Sequence, residues 1–158
     1  MALAILLGHG PKQLVNLGRK GSKLNPRHVV LIGVRDLDQE EKDNIRKSGC
    51  SVFTMRDIDE LGMHVVLKKT LAILAACKQI HLSLDMDSID PIEAPGVGTP
   101  VAGGLSYREA QLLMETLHDT RRLMSLDIME TNPILDTSNR TAQVAVSLIG
   151  SLFGKSIL

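Results

Sequence analysis

The stretch HVVLIGV, residues 28–34, is a continuous run of apolar and mostly β-branched side chains. Such a run, without polar alternation, is typical of a strand that is covered on both faces, as in a parallel sheet. Three comparable runs follow it, namely GCSVFTM (49–55), QIHLSLDMD (79–87) and RLMSLDIME (122–130). The sequence therefore predicts four strands of a mainly parallel sheet.

Helix-like stretches lie between and after these strands. Their apolar residues recur at three- and four-residue spacing, the pattern of an amphipathic helix, in residues 39–48, 57–77, 106–119 and 139–153. Alternating strands and helices predict an α/β layered domain with right-handed crossovers. Ligands of such domains usually bind beyond the carboxyl ends of the strands, so the polar residues that follow each strand form the candidate site.

Length and composition bound the class of protein. The chain has 158 residues, enough for a single domain spanning 1–158, and its hydrophobic content of 44% favours a globular protein. Basic and acidic residues balance at 18 each, which indicates neither a nucleic acid nor an acidic membrane as partner. The two cysteines, Cys50 and Cys77, fit buried free thiols. The opening MALAILLGHG lacks a basic leader and the ~20 apolar residues of a membrane span, which predicts a cytoplasmic protein.

Acidic residues follow three of the four predicted strands, in the segments VRDLD, LDMDSID and LDIMETNP. Asp85 and Asp87 are two residues apart, so in extended backbone their carboxylates would leave the same face and repel unless a cation lay between them. One interpretation is a hard divalent cation such as manganese or magnesium. A structural acidic turn explains the spacing equally well, and a phosphatase with an aspartyl nucleophile is a chemically distinct alternative.

The loop that leaves these aspartates has its own signals. Asp90 precedes Pro91, where a turn is expected. An EF-hand is excluded because Asp90 and Gly96 stand where that loop needs a glycine and a bidentate glutamate. The segment EAPGVGTPVAGG, residues 93–104, reads as a shaped loop, and it lacks the lysine and spacing of a phosphate-binding loop.

Several linked motifs resemble a known family. The run SLDMDSIDPIEAPGVGTPVAGGLSYREA, residues 83–110, resembles the ureohydrolase pattern S-x-D-x-D-x-x-D-P followed by A-P-G-x-G-T-P and G-G-L. HVVLIGVRDLDQEE upstream and LDIMETNPILD downstream resemble the arginase family specifically. The resemblance implies a three-layer αβα fold with a mainly parallel sheet, of the arginase/deacetylase type. It also implies hydrolysis of L-arginine to urea and L-ornithine at a binuclear manganese centre that activates water.

The resemblance assigns metal and substrate roles to individual residues. Asp85 would bridge two manganese ions and Asp87 would bind one of them, with Ser83 supporting that shell. Glu130 would hold the guanidinium group, since a carboxylate and a planar guanidinium can form parallel charge-assisted hydrogen bonds. Its alternative is an exposed acid at a strand end. Thr99 would line the mouth near the metals or serve as an ordinary turn residue, and no side chain is assigned as a catalytic acid or base.

The acids after the first strand have two interpretations. By resemblance, Asp36, Asp38 and Glu41 would address the α-amino group of the substrate, directly or through water. Alternatively, Asp38 and Glu41 cap and charge the first turn of the next helix. The helix start at Tyr107, where the family packs subunits, is equally well a solvated terminus, although the family implies a homo-oligomer, a trimer or hexamer.

The sequence also departs from the family pattern. The motifs G-G-D-H-S, D-A-H-x-D and N-I-H-G, which supply the other metal ligands and a histidine beside the substrate, are absent. The chain therefore resembles the carboxyl-terminal half of an arginase, with two of six expected ligands, and we expect weak metal binding. Strand edges left without neighbours would make the chain poorly stable alone. The rival functions are a noncatalytic interaction module that pairs through those edges, and, less favoured, an agmatinase.

Overall fold

The computed structural model describes residues 2–156, in which strands and helices alternate from residue 30 onward. The order is α1 (Ala2–Leu6), α2 (Lys12–Val15), β1 (Val30–Val34), α3 (Gln39–Ser48), β2 (Ser51–Thr54), α4 (Met55–Leu61), α5 (Met63–Ile73), β3 (Ile80–Asp85), α6 (Tyr107–Asp119), β4 (Leu123–Met129) and α7 (Arg140–Leu152). Two short 3-10 turns cover Pro26–His28 and Met86–Ser88. The α/β class predicted from the sequence is confirmed.

The strands pair in parallel, as the apolar runs predicted. The pairing of β1 with β2 begins at Val30↔Ser51. The pairing of β3 with β4 extends from Ile80↔Leu123 to Asp85↔Met129. These pairs form two separate two-stranded sheets rather than one continuous sheet. Among the described residues, each strand therefore has one partner and one edge that no strand covers.

The hydrophobic core lies against one face of the β3–β4 sheet. Ile80 and Leu84 of β3 are buried, whereas the intervening residues His81 and Ser83 are exposed. The buried face joins a core cluster built from α4 to α7, with members such as Val66, Leu113 and Leu148. Strands covered on both faces were expected, but the helices pack on a single face of β3, which explains its alternating pattern.

One predicted helix is two helices in the structure. The stretch 57–77 is divided at Gly62, whose φ of +78° is a conformation that glycine adopts without the cost a side chain would add. α4 ends at Leu61 and α5 begins at Met63, so Gly62 alone separates the two helices. Thr54 and Asp57 form a capping box at the start of α4, so this helix also begins two residues earlier than predicted.

No helix within residues 2–156 combines the length and the hydrophobicity that crossing a membrane requires.

Candidate functional site

The carboxyl end of β3 turns sharply into a segment that we call the aspartate turn, residues 85–90. The Asp85 carboxylate accepts a hydrogen bond from the backbone N–H of Asp87 at 2.9 Å and so caps the 3-10 turn Met86–Ser88. The Ser88 hydroxyl donates to the Asp85 carbonyl at 2.6 Å. The prediction that Asp85 and Asp87 share one face of an extended strand was therefore wrong, because the first aspartate ends the strand by capping the turn that contains the second.

Asp87 has one satisfied and one unsatisfied carboxylate oxygen. The Thr99 hydroxyl donates a hydrogen bond to Oδ2 of Asp87. Oδ1 is buried and has no hydrogen-bond partner among the described residues. A buried charged oxygen without a partner is costly, so this atom marks a place where a cation or a donor would stabilise the fold.

Electrostatics at Asp85 agree with that interpretation. Burial raises the pKa of the Asp85 carboxyl, and the nearby Asp87 charge raises it further, while the Asp87 N–H and the Arg35 charge lower it. A raised carboxyl pKa means that the surroundings disfavour the ionised form. A divalent cation held by these carboxylates would favour their ionised form and so oppose both effects.

Asp90 holds the two ends of the loop 91–104 together, as expected for a residue that shapes a turn. Its carboxylate accepts hydrogen bonds from the backbone N–H groups of Ile92 at 2.9 Å, Gly103 at 2.8 Å and Gly104 at 3.1 Å. The Ile92 bond lowers the pKa of Asp90 most, burial opposes it, and the bonds from the two glycines with the Arg35 charge lower it further. Asp90 is thus a structural acid rather than a candidate metal ligand.

The lowered pKa of Asp90 sets an expected pH dependence. A carboxyl with a depressed pKa in the folded state stabilises the fold above its unfolded pKa of about 3.9, and this stabilisation is lost as the pH falls through the folded value. Asp85, with its raised pKa, contributes with the opposite sign. We therefore expect Asp90→Asn to be less stable than the wild type at pH 6, and we expect this difference to shrink as the pH falls below about 3.9, as measured by urea unfolding. A stability difference that does not change with pH would contradict this account.

Glu130 follows β4 and lies beside the loop that leaves the aspartate turn. Its backbone is left-handed, with φ of +62°, which is uncommon for a residue with a side chain. A Cβ placed on Gly98 would lie 3.9 Å from Oε2 of Glu130, and Asn132 N–H donates to the Gly96 carbonyl at 2.8 Å. The structure thus brings exposed Glu130 to the same loop whose Thr99 contacts Asp87.

The acids after β1 are arranged as a helix cap. Glu41 N–H donates to Asp38 Oδ1 at 2.8 Å and Asp38 N–H donates to Glu41 Oε2 at 3.1 Å, a complete capping box for α3. The structure thus agrees with the alternative interpretation of Asp38 and Glu41, in which the two acids cap the next helix. Asp36 is exposed and lines an open cleft of about 470 Å³ at the ends of β1 and β2, beside Lys42. No hydrogen bond or ion pair joins these three acids to Asp85 or Asp87 among the described residues.

Sequence reasoning missed the residues that hold the site's loops. Arg35 donates hydrogen bonds from β1's end to carbonyls of the aspartate turn and of Val101. On the other side, Gly96 N–H donates to the Thr141 hydroxyl at 2.7 Å, and that hydroxyl donates to Asp136 at 2.9 Å. Arg35 stands in the VRDLD segment, and its position directly after a strand was the available signal. Asp136 is the last residue of the LDIMETNPILD segment, whereas no local signal pointed to Thr141.

The cation-binding capacity of these side chains is limited. Within residues 2–156 no three histidine, cysteine, aspartate or glutamate side chains converge on one point. Asp85 and Asp87 offer carboxylate oxygens, the donors that manganese and magnesium prefer. The donor type fits a hard divalent cation, and the donor number does not complete a six-coordinate shell.

Comparisons with known proteins agree with the motifs. A sequence profile of the Arginase family matches residues 17–154. The chain is 51% identical over 158 residues to arginase of Bacillus subtilis strain 168 and covers 53% of it. A crystal structure of arginase from Bacillus subtilis matches with a TM-score of 0.97 and 51% identity, over 100% of this chain and 56% of that one.

A more distant relative has the same fold. The crystal structure of Entamoeba histolytica arginase in complex with L-ornithine matches with a TM-score of 0.88 and 31% identity, over 97% of this chain and 51% of that one. The chain spans about half the length of the curated relatives it matches. That coverage fits the expectation, drawn from the motifs, that the resemblance concerns half of a family domain.

Proposed function

Because this chain belongs to the arginase family, we propose that it contributes one half of a ureohydrolase site that converts L-arginine to urea and L-ornithine with manganese. The observation that carries the proposal is the aspartate turn. It presents Asp85 and Asp87 together at the carboxyl end of β3, and one buried oxygen of Asp87 lacks a hydrogen-bond partner among the described residues. The ornithine seen with the Entamoeba relative supports the product class.

Asp85 and Asp87 would hold the metal, and the remaining ligands would come from another segment or another chain. Manganese bound there would supply Lewis-acid polarisation and a water of lowered pKa. The Thr99 hydroxyl holds Oδ2 of Asp87, and Oδ1, which has no hydrogen-bond partner among the described residues, would be available to the cation. With two carboxylates alone we expect weak binding and weak or absent activity of the isolated chain.

On the substrate side, Glu130 is the best placed acid. Its carboxylate lies beside Gly98 of the loop and would form paired charge-assisted hydrogen bonds with a guanidinium. Exposed Asp36 would attract the α-amino group. Asp38 and Glu41 already accept backbone hydrogen bonds in their capping box, so they would act through their remaining lone pairs or through water.

A second candidate function rests on the divided sheet. β1 and β3 each have one edge without a strand partner among the described residues, and such edges readily pair with strands of another chain. A noncatalytic module that associates through these edges would need no metal. The same edges would accept the remaining strands of an arginase domain, and assembly into a homo-oligomer belongs to this proposal as well.

The decisive experiment measures urea release from L-arginine with added manganese. The chain is assayed alone and together with the part of Bacillus subtilis arginase that it does not match, and the Asp85→Ala variant runs beside it. We expect urea mainly in the mixture, and at least a 100-fold lower rate with Asp85→Ala, because losing a residue that merely supports a metal ligand already costs about 10–100-fold.

Each other outcome selects a rival. Urea release that Asp85→Ala leaves unchanged would contradict the site assignment. Urea from agmatine but not from L-arginine would favour an agmatinase. Phosphate release from a phosphomonoester that depends on Asp85 would favour the aspartyl phosphatase. Stable, defined oligomers without any turnover would favour the interaction module.

A further inference from the structure

Arg35 connects the two separate sheets at their carboxyl ends. It follows β1 directly, and its half-buried guanidinium reaches three backbone carbonyls on the far side. Nη2 donates to the Asp87 carbonyl at 2.6 Å and to the Val101 carbonyl at 2.7 Å, Nε donates to Val101 at 3.1 Å, and Nη1 donates to Ser88 at 3.4 Å. All three acceptors belong to the aspartate turn or to the loop that it closes.

The β1 strand and this loop also touch directly. A Cβ added to Gly33 would lie 3.3 Å from the Leu105 side chain, which is itself buried. Leu105 in turn exchanges backbone hydrogen bonds with the aspartate turn, since its N–H donates to Ser88 at 2.9 Å and its carbonyl accepts from Asp90 at 2.9 Å. Arg35 therefore lies at a packed junction rather than on a mobile surface.

The guanidinium binds carbonyls here and forms no ion pair among the described residues. The four hydrogen bonds to three carbonyls use all three nitrogens of the planar arginine fork. A lysine ammonium would retain the charge but could not reach all three acceptors in this arrangement. Replacing Arg35 with lysine therefore distinguishes the contribution of the planar guanidinium from that of the positive charge.

We propose that Arg35 is a positioning residue that fixes Asp87 relative to the end of β1. It acts through the carbonyls of the aspartate turn and touches neither metal nor substrate. Because Asp36 is its chain neighbour, the same contact sets the distance between the acid proposed to face the α-amino group and the carboxylates proposed to hold the metal. This role rests on the proposed ureohydrolase function.

The test compares Arg35→Met and Arg35→Lys with Arg46→Met and Arg46→Lys. Arg46 is an exposed arginine that pairs with Asp43 on α3, so it controls for loss of an arginine as such. Amide hydrogen exchange of Asp90 and Leu105 reports the junction, and amides of the β3–β4 ladder report the rest of the fold. Manganese affinity is followed by the electron paramagnetic resonance signal of free Mn²⁺.

We expect Arg35→Met to speed exchange at Asp90 and Leu105 about tenfold or more while the ladder stays unchanged. Manganese affinity should fall about 10–100-fold, the usual effect of removing support for a metal ligand. Arg35→Lys should give a smaller loss, and both Arg46 variants should behave as the wild type. If Arg35 had a purely structural role, amide exchange in the β3–β4 ladder would accelerate as well. Arg35→Met and Arg35→Lys would then have the same effects on exchange and on manganese affinity.

Two results would overturn the proposal. Unchanged amide exchange at Asp90 and Leu105 in Arg35→Met would show that Arg35 does not hold the aspartate turn, whether or not the protein binds metal. Unchanged manganese affinity in Arg35→Met would show that the hydrogen bonds of Arg35 do not position Asp87. If the wild-type chain binds no manganese, the proposed function is contradicted instead. The hydrogen-exchange result alone then decides whether Arg35 holds the aspartate turn.

Discussion

Replacing Gly104 with alanine is expected to lower the free energy of unfolding by about 3 kcal/mol or more, at the upper end of what overpacking costs. The added Cβ would lie 2.6 Å from the Asp90 nitrogen, 2.7 Å from the Ile89 carbonyl carbon and 2.8 Å from the Ser88 oxygen. All three are backbone atoms of the aspartate turn, so no flexible side chain can move aside. Urea unfolding followed by circular dichroism measures the change.

Gly98→Ala is the matched control for this substitution. Gly98 lies in the same loop, and the nearest atom to its added Cβ is the Glu130 carboxylate oxygen at 3.9 Å, an ordinary contact distance. Neither glycine has a positive φ, so the two substitutions differ in space rather than in backbone conformation. We expect Gly98→Ala to change stability by less than about 0.5 kcal/mol. Equal effects of the two substitutions would show that the close approach at Gly104 is not what requires glycine.

Asp87→Asn is expected to abolish measurable manganese binding and, without metal, to leave the chain as stable as before or more stable. The amide removes a negative charge whose buried Oδ1 atom has no partner among the described residues, together with its repulsion of Asp85. It also removes an anionic metal ligand, which should weaken binding by more than about 100-fold, a larger loss than removing a residue that only supports a ligand. Functional sites commonly show this opposition between stability and activity.

The measurement pairs manganese titration with thermal melting in the presence of a chelator. Asp59→Asn serves as the control, since it makes the same charge change at an exposed position on α4. That variant should leave both manganese affinity and the melting temperature at wild-type values. Retained manganese binding in Asp87→Asn would remove this aspartate from the proposed site. A large loss of stability in the same variant would assign it a structural role.

Much of the fold follows from local patterns in the chain. The apolar runs predicted all four strands, and the helical spacing predicted α3, α6 and α7 to within one residue at each end. Capping explains this accuracy, because Asp38 and Ser106 each begin a helix through a bond to a residue three positions later. The break at Gly62 was missed, since apolar spacing continues across it and only its positive φ reveals the turn.

The candidate site was predicted in part. The acidic strand ends pointed to Asp85, Asp87 and Glu130, and the structure brings these residues to one set of loops. The arrangement of Asp87 was not predicted. The Asp85 carboxylate accepts the Asp87 N–H, and this bond ends the strand before Asp87. Asp38 and Glu41 show the reverse case, in which a motif that resembles a substrate site also forms an ordinary helix cap.

The sequence by itself determined the α/β class, the parallel strands, the family and the end of the sheet where acids gather. These depend on side-chain polarity and spacing over a few residues, which the chain states directly. Only the tertiary structure showed two sheets in place of one, the space that Gly104 must leave, and the reach of Arg35 to Val101, 66 positions away. Such features are distances between segments remote in sequence, and no local pattern encodes a distance that packing alone establishes.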